Sequence, residues 1–169
     1  MAKRGKPPAE PSEQKNYGST AEKRVDQGLR SLAAKDAIHF WFRASQKLDA
    51  EGVDHILGVL RPKFAVWVIQ VTSGKNKRRT YYRRLSKAEL VLVKKPYRRR
   101  RYYRYIPLLA VTKRTPDLQI ERKLLRISRN NKSALENKRA PERLKALLAA
   151  FLVDHEIAVP RAINENTRS

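Results

Sequence analysis

The chain has no cysteine among its 169 residues. That excludes disulfides, thiol catalysis and cysteine-ligated zinc, and it suits an intracellular protein, cytoplasmic or nucleoid-associated. Acidic residues are scarce: 16 Asp and Glu stand against 39 Lys and Arg, for a formal net charge of +23. Such an imbalance opposes compaction by self-repulsion, so its use lies with a polyanionic partner. No apolar run approaches the roughly 20 residues of a membrane span, and the N-terminus lacks the apolar core of a signal peptide. There is no Walker-type glycine loop and no Gly-x-Ser-x-Gly elbow. His39, His55 and His155 lack metal-ligand spacing, and isolated histidines of this kind read as ordinary packing or surface residues.

What is present is organised around residues 52–77. They read as two strands about a turn at Arg61-Pro62-Lys63, and Val66 to Val71 is almost continuously apolar, the pattern of a strand covered on both faces. Asp54 and Gln70 interrupt the hairpin. With a three-residue turn, 60 pairs with 64 and Asp54 falls opposite Gln70. Directly paired residues share a face, so a carboxylate and an amide oxygen are expected to meet on a mostly apolar sheet. That placement costs free energy unless something binds there. The plainer reading makes Asp54 a strand-start cap and puts Gln70 on a partly wet face. By the same alternation His55 points away from Asp54.

Residues 1–16 lack periodicity and read as a disordered basic arm, followed by a single domain over 17–159 and a polar tail over 160–169. A helix is expected over 19–33: Ser19 and Glu22 have capping-box spacing, and Val25, Leu29, Leu32 and Ala33 form an inward stripe. Glu22 lies on that stripe, so it is either a capping residue or an inward-facing acid. A strand is expected over 37–43 and another over 106–112, where Pro107 suits an edge or a strand start. Segments 86–93 and 118–127 suit either helix or strand, and 130–140 reads as an exposed polar connection. A helix over 142–156 carries Leu144, Leu147, Leu148, Phe151 and Leu152 on one face. Together these make an α/β fold: a mixed sheet of about four strands, with the two helices on its opposite sides.

A helix with an early Glu22, a strand, then Gly52-Val53-Asp54, then an apolar strand ending in Gln70 is an order that resembles the PD-(D/E)XK nuclease superfamily. Its small Holliday-junction-resolvase and restriction-endonuclease-like members are the nearest match, over about residues 17–77. The resemblance implies a restriction-endonuclease-like sheet and a metal site for Mg2+ or Mn2+ built from Glu22, Asp54 and Gln70, with the Val71 main-chain carbonyl beside them. Asp54 stands at the family's first acid, and Gln70 at its second, where glutamine also occurs. The family's lysine, two residues later, is Thr72 here. Lys75 is the catalytic substitute the resemblance suggests, with Lys77 and Lys47 as further candidates.

The stretch 75–105 carries the strongest charge signal. Lys77, Arg78, Arg79, Arg83 and Arg84 surround two tyrosines, and Arg98, Arg99, Arg100, Arg101, Tyr102 and Arg104 follow. Arginine on phosphate releases counterions, and interleaved tyrosines stack on unpaired bases. The expected function is metal-dependent hydrolysis of DNA phosphodiesters at branched or structured sites, with DNA favoured over RNA, no membrane partner, and a homodimer if two strands are cut. Two alternatives stay open. One is an inactive nuclease-fold module that binds nucleic acid; the other is a structural RNA- or ribosome-binding protein.

Overall fold

The computed structural model of the chain describes residues 11–73 and 106–161, and for residues 11–19 the backbone alone. Helix α1 (Pro11–Ala34) is followed by strand β1 (Phe40–Arg43), a short helix α2 (Gln46–Ala50), and strands β2 (His55–Val59) and β3 (Ala65–Thr72). Strand β4 (Leu108–Ala110) and helices α3 (Asp117–Asn130) and α4 (Glu142–Asp154) complete the order. The four strands form one open sheet in the order β1-β2-β3-β4, antiparallel at the first two joins and parallel at the third. This is the α/β arrangement expected: a mixed sheet with flanking helices. Among the described residues no helix is long and apolar enough to cross a membrane.

Two apolar cores hold the layers, one on each face. Strand alternation sends Leu57, Trp67 and Ile69 to one side, where Val25, Leu29 and Leu32 of α1 and Ile120 and Leu124 of α3 bury them. It sends Ile56, Val66 and Val68 to the other, against Leu144, Leu148, Phe151 and Leu152 of α4. Segment 118–127, ambiguous in sequence, is helical because Ile120 and Leu124 lie one turn apart and meet α1. Gly28 lets the two helices approach: a Cβ there would lie 3.2 Å from Ile120 Cγ2.

Helix α1 begins at Pro11, so residues 11–16 belong to the helix and not to a disordered arm. Proline suits a first helical turn, where its missing N–H has no partner to lose, and Gly18 inside the helix costs only about 1 kcal/mol. Ser19 therefore lies within the helix, and the capping reading of Glu22 falls away. The helix ends where Asp36, at φ 57°, turns the chain: Ala37 N–H donates to the Leu32 carbonyl and Asp36 N–H to that of Ala33.

The connection 130–140 is not an exposed one throughout. Ser133, Ala134 and Leu135 are buried, Ala134 N–H donates to the Val66 carbonyl at 2.7 Å, and Val66 N–H donates to Ser133 Oγ at 3.1 Å. The segment thus closes the edge of β3 where β4 does not reach, satisfying backbone groups that would otherwise be left bare. Strands β1 and β4 are shorter than the expected spans, and Pro107 precedes β4, an edge strand of the described sheet. Segments 86–93 and 97–105 lie outside the described residues.

Gly58 sits opposite Phe40, and a Cβ there would run into the Phe40 ring and come within 2.7 Å of the Ala65 carbonyl oxygen. Gly58→Ala is therefore expected to destabilise the protein by about 1–3 kcal/mol, read as a lower urea midpoint at unchanged slope. Gly28→Ala should cost less, since helix propensity gains about 1 kcal/mol there.

Candidate functional site

Two strand ends meet at one end of the sheet, where β2 begins and β3 finishes. The observed register runs from Val59 opposite Ala65 to His55 opposite Ile69. One step further, regular pairing would put Asp54 level with Gln70, but the ladder ends at His55. The chain is kinked there. In a regular strand the N–H and C=O of one residue point toward the same neighbour, but Asp54 N–H donates to Ile69 on β3 and its carbonyl accepts from Ala44 beyond β1. This is the behaviour of a bulge, which re-aims a side chain. The Asp54 carboxylate turns to the backbone of β3, where Oδ2 accepts from Val71 N–H at 2.5 Å.

Gln70 is 5 % exposed and shares the parity of Val66 and Val68, so it faces the α4 side. Its own N–H donates to Pro107. The Val71 N–H points to Asp54, and in an extended strand its carbonyl points to the same side. The structure joins the Asp54 carboxylate to the Val71 backbone, while the direct pairing of Asp54 with Gln70 that the hairpin count implies is replaced by the bulge, in which Asp54 N–H meets Ile69. Thr72 is half-buried, and its carbonyl accepts from Val111 N–H.

Glu22 arrives differently. It stands on α1, which covers the opposite face from Gln70, and its negative charge is felt by Arg43 at the end of β1. The structure therefore brings Glu22 to the same end of the sheet but on the other side. Its neighbour one turn along, Asp26, is the hub of a cluster that sequence reasoning missed. Asp26 Oδ1 accepts from His55 Nε2 at 2.8 Å, and Oδ2 accepts from Arg43 Nε at 2.7 Å and from a second Arg43 nitrogen. The signal available was the four-residue spacing of Glu22 and Asp26 on a helix stripe, with His55 adjoining Asp54.

Arg43 keeps its proton more firmly than an ordinary arginine, chiefly through the Asp26 hydrogen bond, with the charges of Asp26 and Glu22 adding and partial burial opposing. His55 is 1 % exposed, and burial pushes its pKa below the ordinary value, outweighing the attraction of Asp26. Neutral His55 gives its Nε2 proton to Asp26, and among the described residues its buried Nδ1 has no hydrogen-bond partner.

For a hard divalent cation the oxygens at hand are the Asp54 carboxylate, the Gln70 amide and the Val71 carbonyl; one Asp54 oxygen is already engaged by the Val71 N–H. Among the described residues no group of three or more His, Cys, Asp or Glu side chains could hold a metal ion. These groups are fewer than the oxygen ligands a hard divalent cation takes, so water would have to complete its coordination. Beside it, on the α1 side, a cleft of about 250 Å³ is lined by Thr20, Arg24, Ser73, Thr112 and Lys113 among others. Arg24 there is tied to the carbonyls of Thr112 and Thr115 and to Asp117. Lys75 and the expected nucleic-acid contacts, Lys77 to Arg104, lie outside the described residues.

No family model, curated protein or solved structure matches the chain.

His55 gives the site a pH signature. Its folded pKa lies below 6.5, so the unfolded chain binds more protons between the two values, and stability falls as pH drops below 6.5. Urea midpoints measured from about pH 7 down to pH 5.5 should decline in the wild type, before most carboxylates titrate. His55→Gln, which keeps a donor for Asp26, should remove that decline.

Proposed function

We propose that this protein binds DNA and hydrolyses phosphodiester bonds in a divalent-metal-dependent reaction at branched or structured sites, in the manner of the PD-(D/E)XK nucleases. The observation that carries the reading is the turn of the Asp54 carboxylate onto the Gln70–Val71 strand end, with Oδ2 2.5 Å from the Val71 nitrogen. A bound Mg2+ or Mn2+ supplies charge to screen the phosphate and to lower the pKa of an attacking water.

The chain's own residues then divide the work. Asp54, Gln70 and the Val71 carbonyl offer oxygens to the cation. Arg43, oriented by Asp26 on the α1 side of the same sheet end and half-exposed, would offer its guanidinium to a phosphate that reaches round that end. The Thr72 hydroxyl can hydrogen-bond the water, and Lys75 is the first ammonium downstream in sequence to assist it. Charge elsewhere, chiefly the 75–105 segment, supplies affinity.

Thr72 favours a second reading, a nuclease-like module that binds nucleic acid without cutting it, because a hydroxyl brings no positive charge to the water. The test uses branched, duplex and single-stranded DNA and RNA with Mg2+, with Mn2+ and with chelator. Cleavage that needs metal and is abolished by Asp54→Asn, with binding nearly unchanged, is the expected result. Thr72→Lys restores the ammonium and should raise a weak activity. If wild type and Thr72→Lys are both inert on every substrate with either metal, the catalytic reading fails and the binding module stands.

A further inference from the structure

Helix α3 has a setting that its packing fixes. Ile120 and Leu124 are fully buried against α1, and both acids of the helix are used in reaching α1: Asp117 pairs with Arg24 at 2.7 Å and Glu121 with Lys35 at 2.6 Å. Lys35 holds the Glu121 carboxyl below its ordinary range, its hydrogen bond outranking that of Ser31. Lys123 is half-buried and donates to the Ala110 carbonyl. The outward face carries Arg122, Arg126 and Arg129, all exposed, with the exposed Leu118 one turn before them.

These three are spaced by four and then three residues, so they form one stripe, with steps of about 6 and 4.5 Å along the axis. No acidic residue stands three or four positions from any of them. Like charges at that spacing destabilise a helix, so the stripe works against folding unless a polyanion lies over it. The exposed Lys132 follows the helix end, and Arg114 precedes the helix beside Lys113, which lines the cleft near the candidate site.

We propose that this arginine stripe is a second nucleic-acid contact, along which the phosphate backbone of a duplex arm runs from the strand-end site. Fourteen residues of helix span about 21 Å, comparable to about six nucleotides of one duplex strand. Arginine suits phosphate through its fork of donors. The proposal rests on the nucleic-acid part of the function above and not on cleavage.

The test measures duplex and four-way-junction DNA binding by the full chain, in chelator, against salt. It compares wild type, Arg122→Ala/Arg126→Ala/Arg129→Ala, and a charge-matched control, Arg61→Ala/Lys138→Ala/Arg139→Ala, whose positions are exposed elsewhere. The stripe variant should lose about two to three units of log–log salt slope, at roughly 0.9 per phosphate, and the control much less. Its unfolding midpoint should not fall, because repulsion has been relieved. Arg126→Ala alone should cost about 0.9 units, which keeps the test intact if the triple variant folds poorly. Equal slopes for stripe variant and wild type overturn this proposal alone. A wild type that binds no nucleic acid overturns the proposed function with it. Loss of binding to anionic phospholipid vesicles, with duplex binding unchanged, would assign the stripe to a membrane surface and overturn the duplex.

Discussion

The pairing of Val59 with Ala65 sets where every side chain of the hairpin points, and through it where both cores and the strand-end site lie. Usually a half-apolar pattern enforces register, because a slip of one residue exposes the buried set. Here β3 is buried on both faces, so hydrophobicity alone would tolerate a slip. The discrimination comes from specific neighbours. Gly58 must lie opposite Phe40, whose ring fills the space a Cβ would need. His55 must face Asp26, and Asp54 must reach the Val71 N–H. A slipped hairpin would bury an imidazole and leave a carboxylate without those partners, each costing on the order of 1–3 kcal/mol.

Asp26 joins three elements, since its two oxygens take donors from β1 and β2 while it stands on α1. A carboxylate with a 17 % exposed side chain needs such partners. A neutral histidine on one oxygen and an arginine on the other hydrogen-bond the acid with only one compensating cation. The arrangement also orients Arg43, whose side chain remains 51 % exposed. The guanidinium is thereby held by a helix carboxylate while half of its side chain stays open to solvent.

Much of this frame was legible in the sequence for identifiable reasons. The turn residues Arg61-Pro62-Lys63 and the apolar runs beside them gave the register that runs from Val59–Ala65 to His55–Ile69, and the stripe Val25-Leu29-Leu32 marked the inner face of α1. The side of the sheet that α1 covers is not written in its stripe, so the separation of Glu22 from Gln70 by the sheet could not be read. The kink at Asp54 arises from backbone bonding to two neighbours at once, which no side-chain pattern reports. His55 looked like packing because its partner Asp26 is 29 residues away in sequence. The burial of Ser133, Ala134 and Leu135 was hidden because three residues are too few to show a period.

The acids of the described residues are used mostly as joints: Asp117 and Glu121 tie α3 to α1, Glu136 meets Lys63 at the hairpin turn, and Glu51 meets Arg143 of α4. Most of these pairs are exposed, and exposed pairs contribute roughly 0–1 kcal/mol each, so stability rests on the two apolar cores. Their larger effect is on where the surplus charge goes. With scarce carboxylates drawn to the seams between elements, the outer faces hold cations without local compensation. With a net charge of +23, the chain carries far more cations than these pairs neutralise. A surplus of that size raises the potential around the molecule by long-range summation, an effect on association rates that salt screens and that the apolar cores do not depend on.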